Sequence, residues 1–131
     1  MVHTDHPVSV LLVEDEVLIS MLVADTLTEN GFDVHEVSTA DEALRYIDQG
    51  GVVDVLFTDV NLPGSMDGRE LAARVRARRP GLPVVYASGR YDNRDVSKLV
   101  PHSVFMTKPY NPNDVCTLLT RLTHGDDDRA H

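Results

Sequence analysis

Tryptophan is missing from the sequence, cysteine occurs once, and aromatic residues make up only 5% of the chain. The core is therefore expected to be aliphatic. The lone Cys116 excludes an internal disulfide and a cysteine metal cluster, and it reads as a small apolar residue on a helix. The N-terminal "MVHTDHPVSV" has no basic region followed by a long apolar run, and no segment approaches the roughly 18 apolar residues of a membrane span. A cytoplasmic location is expected. Basic residues are also scarce: 12 Lys and Arg against 21 Asp and Glu leave a net charge of -9. That balance disfavours a sequence-independent grip on nucleic-acid phosphates, and an acidic membrane surface would repel it. Proteins or cations are the expected partners.

What is present is ordinary for one soluble domain: 131 residues, 42% of them hydrophobic. Apolar runs of strand length recur at 8–13, 32–37, 53–58, 83–88 and 103–107. Helical patterns lie between them. The first, 16–29, places Ile19, Val23 and Leu27 on one stripe and stops at Asn30-Gly31. The second starts at Thr39 with Glu42 three residues on, a capping box, and carries Ala43, Leu44 and Ile47. The third, about 66–78, turns Leu71 and Val75 inward and stops at Pro80. The stretch 91–102 offers only Val96, Leu99 and Val100 before Pro101, so a fourth helix should be short, irregular or mobile. The last begins with Asn111 as cap and Pro112 at the first helical position. Residues 1–7 read as an extension, 8–124 as the domain, and the polar "GDDDRAH" at 125–131 as a disordered acidic tail. Alternating strands and helices, with nearly continuous apolar first, third and fourth strands, predict a doubly wound α/β fold on a parallel sheet.

In such sheets ligands bind beyond the carboxyl ends of the strands, where strand order reverses. The first strand ends in Glu14-Asp15, the third in Asp59, the fourth in Ser88 and the fifth in Lys108-Pro109. Singly, each has an ordinary reading: Glu14 and Asp15 as helix-terminus acids, Asp59 and Ser88 as turn residues, Lys108 as a solvated lysine. Together they place three acids, a hydroxyl and an ammonium on one rim. Carboxylates crowded in a partly dry crevice raise one another's pKa unless a divalent cation neutralises them, and Mg2+ suits an oxygen-lined site beside phosphate. A carboxylate so placed can attack phosphorus to give an acyl phosphate, with Lys108 and Ser88 supplying charge and hydrogen bonding. Asp59, at the end of a buried strand, is the expected nucleophile.

With "LLVEDE" (11–16), "DVLFTDVNLPGSMDG" (54–68), "VVYASG" (84–89) and "VFMTKPY" (104–110) in order, the sequence resembles the receiver domain of two-component response regulators over about residues 8–123. The resemblance implies a flavodoxin-like five-stranded parallel sheet of order 2-1-3-4-5. It implies phosphorylation of Asp59 by a sensor histidine kinase or histidine phosphotransfer protein. Asp15, Asp59 and the backbone carbonyl of Asn61 would bind Mg2+, with Glu14 acting directly or through a water. Ser88 would hydrogen-bond the phosphoryl oxygen and Lys108 would pair with it, before a Lys108-Pro109 bond that is often cis in the family. Phe105 stands at the aromatic switch position. Residues 86–91, "YASGRY", further resemble the FATGUY subset of single-domain receivers, with Tyr86 for Phe, Ser88 for Thr and, as the larger departure, Arg90 for a hydrophobic residue.

These implications describe a single-domain response regulator whose only catalysis is its own phosphorylation and dephosphorylation. It would signal through protein contacts, as a monomer or a weak phosphorylation-dependent dimer, without nucleic acid or membrane. The first helix also carries Val17, Leu18, Met21 and Leu22, either a broad core contact or a surface for the kinase's helical bundle. One alternative keeps the fold as a protein-interaction module that is never phosphorylated. An aspartate-nucleophile phosphatase fits less well, because Asn61 stands where its second acid belongs. A nucleotide-binding flavodoxin-like protein lacks its glycine-rich phosphate loop.

Overall fold

The computed structural model describes residues 7–89 and 99–129, the last five by backbone alone. Five strands, β1 (Ser9–Val13), β2 (Asp33–Val37), β3 (Val55–Asp59), β4 (Val84–Ser88) and β5 (Ser103–Thr107), form one parallel sheet of order β2-β1-β3-β4-β5. Four helices are described: α1 (Val17–Glu29), α2 (Ala40–Asp48), α3 (Gly68–Arg78) and α4 (Pro112–Arg129).

Alternation along the strands explains the layering. In β1, Leu11 and Val13 enter the core shared with α2 and α3, whereas Val10 and Leu12 enter the one shared with α1 and α4. A strand apolar at every position must be covered on both faces, and β1, β3 and β4 are buried throughout. The outer strands β2 and β5 are only half-buried.

Local signals account for the helix starts. Thr39 accepts the Glu42 amide while Glu42 reaches back to the Thr39 amide, which closes the expected capping box. Asp67 caps α3 by accepting from the Glu70 amide at 3.0 Å. Asn111 Oδ1 accepts from the Asn113 amide at 2.8 Å, with Pro112 following as expected. The backbone of α4 continues through Gly125 to Arg129, so over 125–129 it departs from the expected disordered tail. One glycine costs about 1 kcal/mol in a helix, less than is needed to stop one already nucleated. The stretch 90–98, which holds Arg90 and most of the expected fourth helix, lies outside the described residues.

The described residues that follow, 99–102, are tied down. The Val100 amide donates to the hydroxyl of buried Tyr86 at 3.0 Å, and Arg76 donates to the carbonyl oxygens of Leu82, Pro101 and His102 at 2.7, 2.7 and 3.0 Å. Below the rim, the Gly68 amide donates to the Val60 carbonyl at 2.8 Å, and a Cβ on Gly68 would collide with the Asp59 backbone oxygen. Gly68→Ala should therefore lower unfolding free energy by about 1–3 kcal/mol in urea denaturation, far beyond the usual benefit of alanine in a helix.

Candidate functional site

Strand order reverses around β1, so the crevice between the carboxyl ends of β1 and β3 is where this topology gathers ligands. Val13 pairs with Thr58, and the next residues of the two strands, Glu14 and Asp59, therefore emerge side by side. They are 4% and 7% exposed. Lys108, arriving from the end of β5, places Nζ 2.9 Å from Glu14 Oε1 and 2.9 Å from Asp59 Oδ2. The second Asp59 oxygen accepts from the Asn61 amide at 3.3 Å, and the second Glu14 oxygen from the Glu16 amide at 3.0 Å. This is the compensation a carboxylate at the edge of an apolar core requires.

The balance of forces differs within the cluster. Burial raises the Glu14 carboxyl above its ordinary 4.5 and outweighs the lowering by Lys108 and the Glu16 amide. Burial alone would lower the Lys108 ammonium, but its hydrogen bonds and charge pairing with Asp59 and Glu14 carry it well above 10.5. Tyr110, edge-on to Phe57 at 5.7 Å, is pushed up to about 12 by burial and then by the Glu14 charge. One ammonium thus faces several acids.

Asp15 is exposed, and one oxygen from each of Glu14, Asp15 and Asp59 lies within 4.8 Å of the others, so the three could hold a metal ion. Ser88 is 3% exposed, and its carbonyl accepts from the Lys108 amide at 2.8 Å. Its hydroxyl lies 3.5 Å from Asn61 Nδ2. Six residues from four strand ends and the turn after β3 therefore converge. The Lys108-Pro109 bond is cis, as the resemblance implied. Phe105 stands on β5 at 36% exposure, on the strand neighbouring Tyr86, and takes no part in the charge cluster. Leu18, Met21 and Leu22 are 75, 51 and 61% exposed, which decides against a broad core contact.

Sequence reading missed two arrangements, Lys108 bridging two carboxylates and the Asn61 side chain meeting Ser88, whereas its reading of Glu14 as a helix-terminus acid agrees with Oε2 accepting from the Glu16 amide.

A parallel sheet covered on both faces, with an acid and lysine crevice at its switch point, defines the doubly wound α/β class. Within it, the chain belongs to the response regulator receiver domain family, which residues 10–120 match. It is 36% identical over 118 residues to the transcriptional regulatory protein TcrA of Mycobacterium tuberculosis, spanning 88% of this chain and 46% of that protein. It is 30% identical over 122 residues to the sensor kinase CckA of Brucella abortus, spanning 91% of this chain and 13% of that one. The chain thus spans less than half the length of these curated relatives. Among solved structures, a response regulator receiver protein from Sinorhizobium medicae WSM419 superposes with a TM-score of 0.85 at 30% identity, covering 90% of this chain and 95% of that one. Chemotaxis response regulator CheY4 of Vibrio cholerae gives 0.78 at 28% identity, with 88% and 98% covered.

Lys108→Met would leave Glu14 and Asp59 facing each other without a cation, at a cost on the order of 3 kcal/mol at neutral pH. Glu14 already binds its proton more tightly folded than unfolded, so its ionised form weighs against folding once pH rises above about 4.5. The deficit of the variant, read from urea midpoints, should therefore be large at pH 7 and shrink as pH falls toward that value.

Proposed function

We propose that the chain accepts a phosphoryl group on Asp59 from a phosphohistidine of a sensor kinase or phosphotransfer protein, and passes the change on by altered protein contacts. The observation that carries this reading is the Lys108 ammonium 2.9 Å from Asp59 Oδ2, beside buried Ser88. An Asp59 carboxylate oxygen attacks phosphorus, the bond to the donor imidazole nitrogen breaks, and that nitrogen leaves with the electron pair and is protonated. Lys108 and the Ser88 hydroxyl bind the transferred oxygens. The new group adds about 1.5 to 2 negative charges at this point.

Mg2+ is the cation that suits the donors: Glu14, Asp15 and Asp59 would hold it, with the Asn61 carbonyl as a further oxygen. Bound there, it neutralises charge that builds on the phosphoryl oxygens. The cluster supports this by its own arithmetic, since three carboxylates against one ammonium leave about two uncompensated negative charges.

Catalysis is confined to the chain's own phosphorylation and dephosphorylation. The readout proceeds through Ser88 and Phe105 to the β5 face, and the exposed Leu18, Met21 and Leu22 of α1 receive the phosphodonor protein. No helix among the described residues is long and apolar enough to cross a membrane.

Incubation with phosphoramidate and Mg2+ should add one phosphoryl group by intact mass, and Asp59→Asn or removal of the metal should abolish the gain. Absence of any gain in the native chain would favour the phosphorylation-independent module. Met21→Glu should slow transfer from a phosphorylated kinase at least about tenfold while leaving the phosphoramidate reaction unchanged. Equal loss of both reactions would remove α1 from docking.

A further inference from the structure

Val100 lies three residues ahead of β5, and among the described residues its amide belongs to no sheet ladder. Side chains bond its peptide groups instead. The amide donates to the Tyr86 hydroxyl of β4 at 3.0 Å, and the carbonyl accepts from the hydroxyl of Ser103, the first residue of β5, at 2.7 Å. Arg76 of α3 donates to the next two carbonyls, those of Pro101 and His102, at 2.7 and 3.0 Å. His102 has a positive φ of 58°, a conformation that a residue with a side chain keeps where its surroundings impose it. The turn into β5 is thus held by side chains from three elements.

Of these ties, the one from Tyr86 comes from the strand that carries Ser88. Val84 and Tyr86 enter the core shared with α2 and α3, whereas Val85 and Ala87 enter the other, so alternation puts Ser88 on the side of Tyr86. In the ladder between β4 and β5, Tyr86 is registered with Phe105 and Val84 with Ser103. Val104 and Met106 pack in the opposite core, which leaves Ser103 and Phe105 on the side of Tyr86 as well. Tyr86 therefore stands one step below Ser88 on its own strand, beside Phe105 across the ladder, and at its tip meets Val100. Its side chain is wholly buried, and burial pushes the phenol above its ordinary 10.0, so it meets the amide as a neutral hydroxyl at physiological pH. A phenylalanine would fill the same core and leave the Val100 amide without that acceptor.

We propose that Tyr86 is a positioning residue whose hydroxyl carries a displacement of the Ser88 end of β4 to the turn at 100–102, and so to the entry of β5. That a phosphoryl group displaces Ser88 rests on the function proposed above, whereas the tether rests on the bond to Val100. Close packing around the buried ring leaves it little room to turn independently of its strand, so movement of β4 reaches the hydroxyl. Ser103 holds the same Val100 from β5 and supplies the control.

Tyr86→Phe removes the hydroxyl alone, and Ser103→Ala removes the other bond to Val100 without altering a β4 side chain. In the unmodified 15N-labelled chain, Tyr86→Phe should speed hydrogen exchange of the Val100 amide at least about fivefold, the equivalent of one hydrogen bond of ordinary net strength. With phosphoramidate and Mg2+ in excess, the native chain should shift the amides of Ser88 and Gly89 and also those of His102 and Phe105. Tyr86→Phe, taking up the same single phosphoryl group by intact mass, should keep the first pair of shifts and lose most of the second. Ser103→Ala should keep both pairs, which a purely structural role in the turn would not allow. Circular dichroism checks the fold of each variant. Unchanged exchange at Val100, native shifts confined to Ser88 and Gly89, full shifts at His102 and Phe105 in Tyr86→Phe, or equal loss of them in Ser103→Ala would overturn the proposal. A native chain that gains no phosphoryl group would overturn the reading of Asp59 and the relay together, while faster Val100 exchange in Tyr86→Phe would leave the tether itself standing.

Discussion

The Lys108 ammonium, 2.9 Å from Glu14 and 2.9 Å from Asp59, permits two neighbouring strands to end in buried charge above an aliphatic core. Each carboxylate alone would force a proton onto itself or open the crevice to water. Held by one cation and by the amides of Glu16 and Asn61, they stay close enough to Asp15 to form a three-acid group. The remaining supports act on the backbone beneath. Gly68 allows the start of α3 to press against the Asp59 carbonyl, and the Lys108 amide fixes the end of β5 to Ser88.

The two faces of the sheet divide the work. On one, Arg78 and Arg76 of α3 and Arg79 just after it bind Asp48, the approach to β5 and the carbonyl oxygens of Ile47 and Gly51 at the end of α2. On the other, α1 buries Ser20, Val23, Ala24 and Leu27, packs Ile19 partly beside them, and leaves Val17, Leu18, Met21 and Leu22 outside. Arg76, Arg78 and Arg79 are thus bound within the fold, whereas Asp25 and Glu29 of α1 are exposed.

Much of this was legible in the residues. Period-two alternation was absent from β1, β3 and β4, and that absence predicted burial on both faces; Thr39 with Glu42, and Asn111 with Pro112, marked helix starts that the structure reproduces. The rim was legible too, because in a parallel sheet every strand ends on the same edge. What sequence could not supply was pairing across distance. That Lys108 bridges Glu14 and Asp59 depends on the turn after β5, and that Tyr86 serves the Val100 amide depends on the length of a phenol. The exposure of Leu18, Met21 and Leu22 was equally undetermined, since periodicity counts apolar positions and not which of them a neighbour covers. The continuation of α4 beyond Gly125 shows how weak a stop one glycine is without a following proline.

The carboxylate of Glu14 has two ends with different duties. Oε1 faces the Lys108 ammonium, and Oε2 receives the Glu16 amide at the threshold of α1, where the Glu16 side chain makes no capping bond of its own. The chemistry and the exposed helix are therefore joined by a lever two residues long, with no hinge or linker between them. The acidic crevice and the entry to the exposed helix therefore share one carboxylate, that of Glu14, across two residues of chain.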